Sequence, residues 1–72
     1  MEVRLFATLR TGRDKVIDMQ WSEGGDGFAL LRELGLDADD VAIFLINGKH
    51  STFERILTQD DIIAMFPPVG GG

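Results

Sequence analysis

Six consecutive apolar residues, Val41 to Ile46, constrain this chain more than any other stretch. Asp39-Asp40 precede the run and Asn47-Gly48 follow it. It is too short for a comfortable helix and rich in β-formers, so it reads as a central strand. Asn47-Gly48 is turn chemistry. A chain of 72 residues makes one domain. At that size only about 60% of the unfolded surface is buried, so the core is small. There is no cysteine, which excludes disulfides, thiolate zinc sites and cysteine nucleophiles.

The neighbours of that strand follow from local patterns. Val3 to Thr8 alternates and predicts a strand. Arg10-Thr11-Gly12-Arg13-Asp14 is a turn. Lys15 to Trp21 resumes alternation, with Ile17, Met19 and Trp21 on one side and Asp18 and Gln20 on the other. The two segments predict an antiparallel hairpin. Ser22-Glu23-Gly24-Gly25 reads as flexible linker. Asp26 caps a helix in which Phe28, Leu31 and Leu34 recur at helical spacing, and Gly35 ends it in a left-handed conformation. So short a helix is held by packing. Phe53 to Leu57 is irregular or a brief helical turn. Asp61 to Phe66 is a last strand, which Pro67-Pro68 ends because neither can donate to a ladder.

This order predicts an α+β fold of the β-grasp, ubiquitin-like type. A mixed sheet of four to five strands carries one main helix on one face, with the first and last strands side by side at its centre. Residues 1–66 form the domain and residues 67–72 a flexible C-terminal functional tail.

Strand parity adds a surface. With the helix packed on Val3, Leu5, Ala7, Phe44, Ile46, Ile63 and Met65, the opposite face carries Phe6, Ile43, Leu45, Ile62, Ala64 and Phe66. A sheet covered by one helix layer ordinarily shows a polar second face, so an apolar one points to a partner. Phe6, Ile43, Leu45, Ile62 and Phe66 are the expected partner-binding residues. A register error of one residue exchanges the two faces. Phe6, flanked by Arg4 and Thr8 on its own side, supports this assignment.

The net charge is −5 and the chain has no basic stripe, so nucleic acid is not an expected partner. No apolar run reaches membrane-spanning length and no signal peptide opens the chain, so no membrane is expected and the location is cytoplasmic. The sole histidine, His50, sits in a turn. Asp37, Asp39 and Asp40 lack the glycine and distal glutamate of a calcium loop, so no metal site is expected. No nucleophile–base pair, carboxylate pair or phosphate loop is present, and the chain is not expected to be an enzyme by itself.

The chain closes on Gly70-Gly71-Gly72 after Phe66-Pro67-Pro68-Val69. A C-terminal glycine carboxylate has no side chain beside it and passes a narrow channel easily. Pro67-Pro68 either only stops the strand or also serves as a stiff spacer that holds the tail extended. Four segments in order carry a resemblance: Val3-Arg4-Leu5-Phe6-Ala7-Thr8-Leu9-Arg10, Ile46-Asn47-Gly48-Lys49, Leu57-Thr58-Gln59-Asp60-Asp61, and Phe66 to Gly72. Together they resemble the ubiquitin-like sulfur carriers, namely the small subunit of molybdopterin synthase and the thiamine-pathway carrier.

The resemblance implies that a ubiquitin-activating-type adenylyltransferase adenylates the carboxylate of Gly72. A sulfur donor then converts it to a thiocarboxylate, and the sulfur passes to an acceptor synthase subunit in cofactor biosynthesis. Gly70, Gly71, Pro67 and Pro68 belong to the threading tail. The carrier binds no cofactor, and ATP is consumed by the activating enzyme. Phe66-Pro67-Pro68-Val69 looks like the molybdopterin subunit and the three final glycines like the thiamine carrier. Molybdopterin is slightly favoured. The alternatives are a ubiquitin-like modifier joined through Gly72 to lysines, and a β-grasp binding module with an inert tail. The resemblance is weakest at Ser22 to Gly27, whose glycines predict a late or frayed helix start.

Overall fold

The computed structural model describes residues 1–68 of the chain. The apolar run supplies an interior strand, Ile43–Ile46, which lies beside the centre of the sheet rather than at it. In chain order the strands are β1 (Glu2–Leu5), β2 (Val16–Asp18), β3 (Ile43–Ile46), β4 (Lys49–His50) and β5 (Ile62–Phe66). One helix, α1 (Gly27–Leu34), lies between β2 and β3. The spatial order is β2-β1-β5-β3-β4. β1 and β5 run parallel at the centre and the other pairs are antiparallel. This is the β-grasp arrangement, with five strands and the first and last side by side.

The core is the helix-facing side of the sheet. Val3, Leu5, Ile46, Ile63 and Met65 are at most 2% exposed. Leu30 and Leu31 of α1 close over them, with Leu9 and Leu57 from the loops. Burying one such side chain contributes about 1.5–3 kcal/mol, so a handful of residues holds the fold.

α1 is closed at both ends. Asp26 Oδ1 accepts the Ala29 N–H at 3.0 Å. At the other end Gly35 takes φ 71°, and Leu36 N–H donates to Leu31 O at 2.9 Å. The helix starts directly after its cap rather than late. Gly27 is not a weakness there. A Cβ on it would lie 2.7 Å from Phe53 Cα and 2.8 Å from Phe53 O, so the backbone of the 53–57 loop packs where a side chain would stand.

Three expectations differ from the structure. β1 ends at Leu5, not Thr8. Ala7 takes φ 52° and opens a 3-10 turn over Ala7–Arg10, which leaves Ala7 exposed rather than beneath the helix. The turn delivers Leu9 to the core at 4% exposure, a burial that a straight strand would not reach. β2 stops at Asp18, and the side chain of Gln59 then replaces a partner strand. Its Oε1 accepts the Trp21 N–H at 2.5 Å and its Nε2 donates to Met19 O at 3.3 Å. Finally, Lys49–His50 pairs with β3 as a short edge strand after the Asn47-Gly48 turn, both of whose residues have positive φ.

Candidate functional site

The site grows from the register of three strands. β3 and β5 pair Ile43 with Phe66 and Leu45 with Ala64. β1 and β5 pair Glu2 with Ile62 and Arg4 with Ala64. Because side chains alternate along each strand, Ile43, Leu45, Ile62, Ala64 and Phe66 share the face opposite α1. Their neighbours Phe44, Ile46, Ile63 and Met65 are buried on the other side. Phe6 joins the first group. Its ring stacks on Phe66 with centroids 4.2 Å apart and planes 11° from parallel. Phe6, Ile43, Leu45, Ile62 and Phe66 therefore lie on one apolar face, which Ile62 (41% exposed) and Val16 (45% exposed) extend toward solvent.

The rim is charged. Arg10 Nε donates to Leu5 O at 3.0 Å, and its guanidinium stands 5.9 Å from the Phe6 ring centroid. Arg4 pairs with Glu2 on the outer face of β1, so this ion pair stands between Val16 of β2 and the apolar residues of β5 and β3. The sequence did not single out Arg10 as part of this surface. Its placement depends on the 3-10 turn, which alternation in β1 conceals.

The face leads to the tail root. Ala42 N–H donates to Phe66 O at 2.8 Å, the last rung before the prolines. Pro67 is half-buried and Pro68 exposed. Gly70, Gly71 and Gly72, the remaining expected tail residues, lie outside the described residues.

Among the described residues no cluster of histidine, cysteine, aspartate or glutamate could hold a metal. His50 is exposed on β4 opposite Leu45. The carboxyl of Asp61, which precedes β5 at the end of the sheet away from the prolines, has a displaced pKa. Burial pushes this carboxyl up. Hydrogen bonds from the Thr58 backbone N–H and the Asn47 amide outweigh that, with help from the Arg55 charge, and hold it below the ordinary aspartate value. It is a structural clasp at the start of β5, buried beside Ile62 rather than exposed on the apolar face. Among the described residues no helix is long and apolar enough to cross a membrane. What the arrangement offers is an apolar patch beside the end of β5, where the strand gives way to Pro67-Pro68.

Comparison with known proteins agrees with the geometry. A family model described as the ThiS family matches residues 3–72. No curated protein matches the chain. Among solved structures, small archaeal modifier protein 1 of H. volcanii is similar at TM-score 0.75 and 22% identity, covering 94% of this chain and 95% of that one. A Pyrococcus furiosus protein assigned as molybdopterin converting factor subunit 1 is similar at TM-score 0.73 and 22% identity, with the same coverage of 94% and 95%. The Helicobacter pylori complex of subunits 1 and 2 of molybdopterin-converting factor contains a similar chain at TM-score 0.62 and 23% identity, covering 99% of this chain and 96% of that one.

Proposed function

Because this chain belongs to the ThiS family of ubiquitin-like sulfur carriers, we propose that it carries sulfur as a thiocarboxylate on Gly72 for cofactor biosynthesis. The observation that supports this reading is the apolar patch of β3, β5 and Phe6, which ends at Phe66 directly before Pro67-Pro68. A carboxylate is a poor acyl donor because its leaving group would be oxide. An activating enzyme attaches AMP from ATP to the Gly72 carboxylate and releases pyrophosphate. Sulfur from a donor then displaces AMP, leaving a soft and strongly nucleophilic thiocarboxylate. The carrier's own part is positional. Its outer face docks the enzyme, the prolines hold the tail clear of the sheet, and Gly70 and Gly71 pass a narrow channel because they lack Cβ atoms.

The acceptor we favour is a molybdopterin synthase large subunit rather than a thiazole synthase. Phe66-Pro67-Pro68-Val69 points that way, as does the similarity to one chain of a subunit 1–subunit 2 complex. The likeness to a small archaeal modifier favours a second reading, in which Gly72 is joined to a lysine of a target protein. The fate of the carboxylate separates the two.

Incubation with the cognate activating enzyme, ATP and a sulfur donor is expected to replace one oxygen by sulfur in the intact mass, and deletion of Gly72 to abolish the change. An isopeptide adduct in place of the thiocarboxylate establishes the modifier. Equal modification of the deletion variant refutes both readings.

A further inference from the structure

A second apolar feature stands at the other end of the sheet. Beyond β2, Trp21 is half-buried and fixed from three directions. Its backbone N–H is held by Gln59 at 2.5 Å. Its indole Nε1–H donates to Gly25 O at 3.3 Å. The ring also lies so close to Gly25 that a Cβ there would stand 2.8 Å from Trp21 Cζ2. Glycine at this position is what seats the indole.

The seated indole divides two grooves. One, of about 230 Å³, is lined by Met19, Trp21, Ala29 and Glu33. The other, of about 360 Å³, is lined by Trp21, Glu23, Ile56 and Leu57. Ile56 is 52% exposed at its edge. Each groove carries one carboxylate, and neither is lined by a lysine or arginine. Nothing in the carrier reading uses them. Gln59 precedes β5 and Pro67 follows it, so the grooves and the tail root lie at opposite ends of a strand about 17 Å long.

We propose that Trp21 is the centre of a second docking site, which takes a short extended segment of a partner protein. A lysine or arginine of that segment enters the groove beside Glu33, and an aliphatic side chain enters the groove beside Ile56. The linings select this occupant: Glu33 has no cation beside it in its groove, and the other groove, though it also carries Glu23, presents Ile56 and Leu57 to an aliphatic side chain. A cation gains from the indole face and from a carboxylate with no competing cation in the groove. Its methylene stem covers apolar wall that a carboxylate-bearing segment would leave facing an uncompensated charge. The net charge of −5 draws the same partner in. A protein held here leaves the outer face and the tail free, so one partner retains the carrier while another acts on its terminus.

The test is titration of the isotopically labelled protein with acetyl-Lys-Leu-amide, followed by amide and indole NMR shifts. Acetyl-Glu-Leu-amide and acetyl-Lys-Ser-amide serve as controls. Saturable shifts are expected at the Trp21 indole N–H and at the amides of residues 22–25 and 56–59. Both controls should bind more weakly by about fivefold or more. Glu33→Gln, on an exposed helix position, should remain folded and weaken the Lys-Leu peptide by about threefold, the scale of one exposed ion pair. Equal binding of the Glu-Leu peptide overturns the proposal, as do shifts centred on Phe66 and Leu45 or the absence of any saturable shift.

Discussion

Asp61 is 8% exposed, and both of its carboxylate oxygens are engaged. Oδ1 accepts from Asn47 Nδ2 at 2.9 Å and Oδ2 from the Thr58 N–H at 2.8 Å. Asn47 Oδ1 in turn accepts the Ile62 N–H at 2.9 Å. The β3–β4 turn is thereby tied to the start of β5. With its pKa lowered from 3.8 in the fold, the Asp61 carboxylate contributes stability that is complete above the unfolded value. That contribution is lost as pH falls through the folded value. Asp61→Asn is therefore expected to cost about 1–3 kcal/mol at pH 7, and the deficit should shrink at pH 3. Urea unfolding of both proteins at the two pH values measures it, and an equal deficit at both would refute the assignment. The Asn47-Gly48 turn was legible from its residues. Its clasp to Asp61 was not, because a side chain reaching fourteen residues along the chain leaves no periodic trace.

The elements show the same division. β3 and β5 were legible because they are apolar on both faces and end at strong breakers, Asn47-Gly48 and Pro67-Pro68. β1 was read too long because Ala7 and Leu9 continue its alternation. The chain turns at Ala7 and buries Leu9 by another route. The cap of α1 at Asp26 was legible, but the expected late or frayed start was not met, because helix propensity counts Gly27 as a loss whereas the tertiary fold requires it. Gly27→Ala forces a Cβ to within 3 Å of Phe53 backbone atoms, which cannot rotate away as a side chain would. It is expected to destabilise the domain by about 1–3 kcal/mol despite alanine's better helix propensity. A lower midpoint in thermal or urea unfolding checks this, and a stabilised variant would show that the loop moves freely.

At the scale of the whole molecule, one helix covers one side of a five-stranded sheet and leaves on the other side an apolar patch of β3, β5 and Phe6, bounded by Glu2 and Arg4 on β1 and by His50 on β4. Leu45 sits in the middle of that uncovered side, between Ala64 and His50. Leu45→Glu is expected to keep the wild-type pattern of amide shifts while weakening the activating enzyme by about 2 kcal/mol, roughly thirtyfold. Loss of the folded spectrum, or undiminished binding by a folded variant, would contradict a docking role for this face. The face was legible because strand parity needs only the sequence and one register. The partner's identity was not, because the groups that recognise this surface belong to other proteins.

The parallel pairing of β1 with β5 has a mechanical consequence. A pull on the tail acts along β5, whose rungs to antiparallel β3 run perpendicular to that force and whose rungs to parallel β1 slant across it. The rungs are loaded together in shear, rather than opened one after another like a zipper. Under the proposed function, an enzyme drawing the terminus into its channel would tug on a strand braced on both sides, and the load would spread across the centre of the domain.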